Sequence, residues 1–191
     1  DTITNMISVP GSESNGAIMI LCQDSAWVLY GPNALGEWRF VQTSAVAGAQ
    51  PFSAAEVEAA ALTFDREGFM RFSPTDTFGN FSNNSVSKPI DPLVRGAVVK
   101  CSVLAHNKTT SRCFFSDDLF VSGTPGKQIE WMPCDYARVI ECAVGAEISG
   151  EYRIFMGDST GWVLEADVGR NFDGCHVPAN LRLSSQNQRS P

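Results

Sequence analysis

Four segments of the chain share one pattern of apolar and polar residues. Each has a short apolar run, an Asp within a tight polar turn, and a second apolar run that carries an aromatic residue. This pattern is typical of a β-hairpin, in which side chains alternate between the two faces of a sheet. The four segments are residues 20–31, 62–73, 113–123 and 154–167. The sequence therefore predicts four hairpins that repeat along the chain.

The spacing of these hairpins predicts the architecture. Their turn residues Asp24, Asp65, Asp117 and Asp158 are separated by 41, 52 and 41 residues, and periods of this length are typical of β-propeller blades. Additional strands are predicted at residues 37–43, 97–104, 128–132, 138–144 and 177–183. We therefore predict a single all-β, β-propeller-like domain over residues 1–191, with about four blade units of antiparallel strands.

The long interval contains a stretch rich in Asn, Ser and Pro, at residues 76–95, which we predict to be an insertion between blades. Four blades lie at the lower end of the usual range of about four to eight. The chain begins without Met and ends in mid-pattern. We therefore expect it to be a fragment of a longer protein whose propeller is larger.

Two segments fit the repeat less simply. Residues 53–62 begin with a capping box and continue with an Ala-rich run, which favours a helix. Because the segment occupies the position of a strand in the repeat, we predict a strand over residues 57–64. Residues 86–94 have apolar residues at helical spacing, but Pro89 and Pro92 limit them to a short helical turn.

Composition excludes several classes of protein. Apolar residues make up 43% of the 191 residues and charged residues 18%, which is typical of a packed domain. The net charge of −7 is spread along the chain without a basic cluster, so specific binding to nucleic acid is not expected. The longest apolar run is six residues, at Ala17–Cys22, whereas a membrane helix needs about 20. We predict no membrane span.

The six cysteines indicate no metal site, because no CxxC or Cys/His ligand spacing is present in the sequence. Cys101 and Cys113 flank a predicted hairpin turn, so they are either two reduced core thiols or partners across the hairpin. We favour reduced thiols, since free Cys packs as a small apolar residue.

The sequence also lacks the patterns of common catalytic sites. His106 and His176 have no second ligand at His-x-x-x-His spacing, and the adjacent Cys175 and His176 would point to opposite faces of a strand. No G-x-S-x-G, P-loop or G-x-G-x-x-G motif occurs. We therefore predict no catalytic, cofactor-binding or metal-binding residues, and no enzyme activity.

The remaining candidates are recurrent carboxylates and aromatics. The carboxylates are either calcium ligands or glycosidase acids, or residues that accept backbone hydrogen bonds within turns, and we favour the turn role. The aromatics are predicted to pack between blades rather than to stack on a ligand. These residues are Asp24, Asp65, Asp117, Asp118 and Asp158, and Trp27, Trp38, Phe69, Phe72, Phe115, Trp131, Phe155 and Trp162.

Several segments, in order, resemble the β-propeller part of the tail nozzle (tail tubular B-type) proteins of short-tailed bacteriophages. They cover most of the chain, and the last is the most specific. Two features differ from the family: Pro89 interrupts a short helix, and the chain stops where family members continue into more strands. The segments are residues 17–33, 38–44, 46–51, 65–95, 113–118, 130–135 and 157–191.

The resemblance implies a structural virion protein without catalytic residues or cofactors. It would form a homo-oligomeric ring, which we expect to be a hexamer. The ring would be part of the tail of a virion assembled in the host cytoplasm. It would contact a head-to-tail adaptor ring and tail fibre or needle proteins, and the genome would pass through the ring without specific contacts. The alternative from another class is a carbohydrate-binding or glycosidase-like propeller that recognises the host surface.

Overall fold

The computed structural model describes residues 1–9, 17–31, 36–57, 60–74, 81–105, 108–116, 119–124, 129–135 and 138–169. This part of the chain forms four antiparallel sheets, arranged like the blades of a four-bladed β-propeller. The predicted fold class is therefore confirmed. Within the described ranges, no helix has the length and apolar character needed to cross a membrane.

The strands follow one another in chain order within each sheet, and we number the sheets as blades 1 to 4. Blade 1 contains β1 (Ile3–Val9), β2 (Ala17–Cys22), β3 (Ala26–Tyr30) and β4 (Arg39–Ser44). Blade 2 contains β5 (Ala55–Val57), β6 (Ala60–Phe64), β7 (Phe69–Pro74) and β8 (Phe81–Ser85). Blade 3 contains β9 (Val99–Ala105), β10 (Thr110–Phe115), β11 (Leu119–Thr124) and β12 (Glu130–Asp135). Blade 4 contains β13 (Ile140–Ile148), β14 (Glu151–Asp158) and β15 (Val163–Glu165).

The four predicted hairpins are present as β2–β3, β6–β7, β10–β11 and β14–β15. Residues 57–64, predicted as one strand, belong instead to two strands, because β5 and β6 pair antiparallel with Ala55 opposite Leu62. The extended interpretation was therefore right, whereas the single strand was wrong. The predicted strand at residues 177–183 lies outside the described residues.

The segment predicted as an insertion, residues 76–95, contains both a strand and a connection. β8 pairs with β7 as the fourth strand of blade 2. A 3-10 turn, Lys88–Ile90, then leads into the single-turn helix α1 (Asp91–Val94). Pro89 and Pro92 are the second residues of these elements, within the first turn, where a backbone N–H has no intrahelical partner. The predicted short helical turn is confirmed.

The core lies between consecutive blades, in three clusters. Between blades 2 and 3, the fully buried ring of Phe64 makes edge contacts with Phe69 and Phe115, at centroid distances of 4.8 and 5.0 Å. Alternate residues of β6 and β10 point to opposite neighbours, so the middle blades are buried on both faces. The clusters on either side contain Met19, Val28 and Phe72 between blades 1 and 2, and Phe114, Ile154 and Met156 between blades 3 and 4.

Connections between the blades are tied together by a side-chain amide. The Gln50 Nε2 donates to the carbonyl of Ala97 at 3.0 Å, and its Oε1 accepts from the backbone N–H of Val99 at 3.0 Å. Nearby, Gly48 lies against the carbonyls of Cys22 and Gln23, where a Cβ would clash. These contacts hold the start of blade 3 against the connection between blades 1 and 2.

The cysteines in the described part of the chain are free thiols. Cys113 pairs with Ser102, so Cys101 and Cys113 are not opposite each other, and they point into different clusters. Burial raises the pKa of Cys101 to about 12 and raises that of Cys113 as well. The predicted reduced core thiols are confirmed for this pair.

Candidate interaction surface

The turn of blade 2 shows what its Asp does. One carboxylate oxygen of Asp65, Oδ1, accepts hydrogen bonds from the backbone N–H groups of Glu67 and Gly68, at 2.7 and 3.1 Å. Burial raises the pKa of Asp65, although these two hydrogen bonds lower it in part. The carboxylate therefore closes the hairpin, as predicted for turn chemistry.

The equivalent turn of blade 4 is held by more contacts. Asp158 Oδ1 accepts hydrogen bonds from the backbone N–H groups of Thr160 and Trp162, each at 2.9 Å. Its Oδ2 accepts a hydrogen bond from Nη1 of the Arg138 guanidinium at 2.7 Å, and the two groups form an ion pair. Burial alone would raise the pKa of Asp158, but the hydrogen bonds from Thr160, Trp162 and Arg138 outweigh it and hold the pKa at about 2. This carboxylate is also structural.

The other predicted candidates are distributed as follows. In blade 1 the turn is held by Asp1, whose Oδ2 accepts hydrogen bonds from the Ser25 hydroxyl at 2.7 Å and the Asp24 backbone N–H at 3.3 Å. No group of three or more potential metal ligands occurs among the residues the structure describes. Asp117, Asp118, His106, Cys175 and His176 lie outside those residues.

The predicted role of the aromatics as blade packing is correct only in part. Phe69, Phe72 and Phe115 are buried between blades. Trp38 and Trp162 are exposed instead, because Trp38 precedes β4 and Trp162 follows the turn that Asp158 closes. Neither side chain belongs to the three core clusters of the described residues.

An apolar surface covers the side of blade 1 that points away from blade 2. The register places Met6, Ile20 and Trp27 on this side, and in the adjacent row it places Ile18, Leu29 and Phe40. Phe40 stacks on Trp27, with ring centroids 4.9 Å apart and planes within 5° of parallel. Ser8 and Gln42 occupy two further positions, so none of the strand positions assigned here carries a charge. The Ser8 hydroxyl donates to Glu56 Oε2 of β5 at 3.0 Å, so one carboxylate of blade 2 borders this surface. We call this surface the open face of blade 1.

Blade 4 has a comparable surface on the side away from blade 3. Val144 pairs with Phe155 there, and Val163 extends the same side on β15. Polar residues border these apolar ones: Arg153 forms ion pairs with Glu151 at 3.0 Å and Glu165 at 3.3 Å. We call this surface the open face of blade 4.

The open faces were missed at the sequence level, although a signal was present. β2 has the sequence AIMILC and β3 the sequence AWVLY, and uninterrupted apolar runs indicate strands that are buried on both faces. Trp27 of β3 was predicted to pack between blades, whereas it lies on the side of blade 1 that points away from blade 2. Comparison with known protein families and with curated proteins gives no match.

Proposed function

We propose that this chain is a structural protein that acts by sheet-to-sheet contacts with other protein subunits. The observation that carries the proposal is the open face of blade 1, an uncharged apolar surface built from four strands. Contiguous apolar patches of this kind on a protein surface mark sites of protein–protein contact. Their burial is the main source of affinity in stable assemblies.

The turn carboxylates support the same proposal. A glycosidase needs two carboxyl groups that converge on one bond of the substrate. In this chain Asp65 and Asp158 each accept hydrogen bonds from their own turn, and they lie in blades 2 and 4. The Oδ1 atom of each is therefore engaged by the backbone of its own turn, which favours a scaffold over a hydrolytic propeller.

The resemblance to tail nozzle proteins supplies the context of the proposal. In that context the chain is a subunit of the tail ring of a short-tailed phage, assembled in the host cytoplasm. The ring is a homo-oligomer that contacts a head-to-tail adaptor ring and tail fibre or needle proteins. A net charge of −7 suits a conduit, because an acidic wall does not hold the phosphate backbone of DNA in transit.

The test is electron microscopy of phage particles whose genome encodes this chain, labelled with a gold-conjugated antibody against it. We expect gold at the tail, and we expect mass spectrometry of the purified particles to recover the chain at the abundance of a ring subunit. Particles that lack the chain, or that carry it only on the head, would contradict the proposal.

A further inference from the structure

The strands at the open face of blade 1 have the composition of strands covered on both sides. In blade 2, β6 is buried at every position, with Ala61 pointing to blade 1 and Phe64 to blade 3. β2 is as apolar as β6, but its side chains alternate, so that Met19 is buried and Ile18 is 43% exposed. The sequence of β2 is therefore suited to burial on both sides, but blade 2 covers only one of them.

Blade 4 of the same chain does not provide that neighbour. Among the described residues, the core clusters join blade 1 to blade 2, blade 2 to blade 3, and blade 3 to blade 4, and none joins blade 4 to blade 1. Met6 and Phe40 of blade 1 remain 66% and 54% exposed, while Val144 and Val163 of blade 4 remain 58% and 72% exposed. Both open faces are thus accessible at the same time within one molecule.

The contacts inside the chain indicate which surface fits the open face of blade 1. At each of the three clusters, one side of a blade packs on the opposite side of the blade that follows it. The first strands of consecutive blades also lie side by side: β1 next to β5, β5 next to β9, and β9 next to β13. A fourth contact of the same kind would place the open face of blade 4 against the open face of a blade 1.

We propose that blade 4 of one copy of this chain packs on blade 1 of a second copy, through their open faces. The inference rests on the proposed structural function and names its partner surface. The contact is head-to-tail, so it propagates the order of blades from one copy to the next and can close into a ring. Arg153 is already paired with Glu151 and Glu165, so an uncharged face can cover this cation without leaving it unpaired. The extra negative charge of the trio can stay in water on Glu151, whose side chain is 73% exposed at the start of β14.

The experiment is sedimentation velocity of the purified chain over a range of concentrations. Two double variants remove one face each: Met6→Glu with Ile18→Glu on blade 1, and Val144→Glu with Val163→Glu on blade 4. We expect the wild-type chain to associate, and each variant to weaken association by about 30-fold or more, because a buried glutamate at an apolar contact has no partner. An equimolar mixture of the two variants should associate again, since each retains the face that the other lacks.

The control is Val46→Glu with Val98→Glu, which adds the same charge at exposed valines in the connections between blades. It should associate like the wild type. Far-ultraviolet circular dichroism checks that each variant folds, and if one face variant misfolds, the other still decides, because a head-to-tail contact is lost from either side. A wild-type chain that stays monomeric at concentrations on the order of 100 µM overturns the inference.

Three other results also overturn it: association that neither face variant weakens, association that only one of them weakens, and a mixture that fails to associate. Weakening by one variant alone would indicate contacts between identical faces. These failures are separate from failure of the proposed function. If gold labels the phage tail while both face variants associate normally, the pairing is wrong and the structural role stands. If the variants behave as expected but phage particles lack the chain, the pairing stands and the tail assignment is wrong.

Discussion

Strands β6 of blade 2 and β2 of blade 1 have similarly apolar sequences but different surroundings. β6 is buried at every position, whereas on β2 the residues that face blade 2 are buried and Ile18 on the other side is exposed. An apolar run therefore indicates how many neighbours a strand requires, not how many it has within one chain. Among the described residues, blades 2 and 3 are covered on both faces, whereas blades 1 and 4 each keep one exposed face.

The largest expected difference between the two regions is in the cost of removing an aromatic ring. Phe64→Ala should lower the free energy of unfolding by about 3–5 kcal/mol, because it leaves a cavity among Phe69 and Phe115. Phe40→Ala should cost the dilute chain only about 1 kcal/mol, since Phe40 is exposed and loses mainly its stacking on Trp27. Urea unfolding at low protein concentration measures both. Equal losses would contradict the contrast between middle and terminal blades.

The turn carboxylates of blades 2 and 4 should make the stability of the fold depend on pH in opposite directions. The pKa of Asp158 in blade 4 is about 2 in the folded protein, below its ordinary value of 3.8. Its ionised form therefore stabilises the fold above about pH 4, and that contribution is lost as the pH falls through 2. Asp158→Asn should lower the melting temperature at pH 7, and the difference from the wild type should shrink as the pH approaches 2.

Ionisation of Asp65 in blade 2 has the opposite effect on stability, because burial raises the pKa of Asp65 in the folded protein. Ionisation of Asp65 therefore opposes folding above this raised pKa, and the opposition disappears as the pH falls through that value toward 3.8. Asp65→Asn keeps an oxygen that accepts hydrogen bonds from Glu67 and Gly68, so its melting temperature at pH 7 should equal or exceed that of the wild type. A loss as large as that of Asp158→Asn would show that the two turns are equivalent after all.

The smallest effect is expected at the ion pair that joins the first strands of blades 3 and 4. Lys100 Nζ lies 2.7 Å from Glu141 Oε1, and the Glu141 side chain is 46% exposed. Lys100→Ala should cost less than about 1 kcal/mol, and added salt should reduce even that difference. Denaturant titrations at low and high ionic strength measure it. A larger loss that does not change with salt would contradict this expectation, because a screened ion pair at the surface cannot produce it.

The sequence predicted the repeat well because hairpin chemistry is local. The turn at Asp65 is determined by the residues around it, and the apolar runs on either side follow from pairing within a few residues. The sequence predicted the role of particular aromatics less well, because exposure of Trp38 and Trp162 depends on where a strand ends. β1 and β8 were also missed, since ITNMISV and FSNNS contain many polar residues and become strands by pairing with β2 and β7.

The open faces could not be predicted from the pattern of a single strand, for a different physical reason. Whether Ile18 is covered depends on the placement of three other blades, which no pattern within β2 encodes. The apolar run of β2 indicates that both sides of the strand require cover. It gives no information on whether the second side is covered by this chain or by another molecule.

The most direct test of the open face is methionine oxidation, measured residue by residue by mass spectrometry. Met6 on the open face of blade 1 is 66% exposed, and Met132 on β12 of blade 3, outside both open faces, is 60% exposed, so the two should oxidise at similar rates in the dilute chain. At high concentration we predict that oxidation of Met6 slows while that of Met132 is unchanged, because a second copy covers the open face. Equal rates for Met6 and Met132 at every concentration would contradict the account.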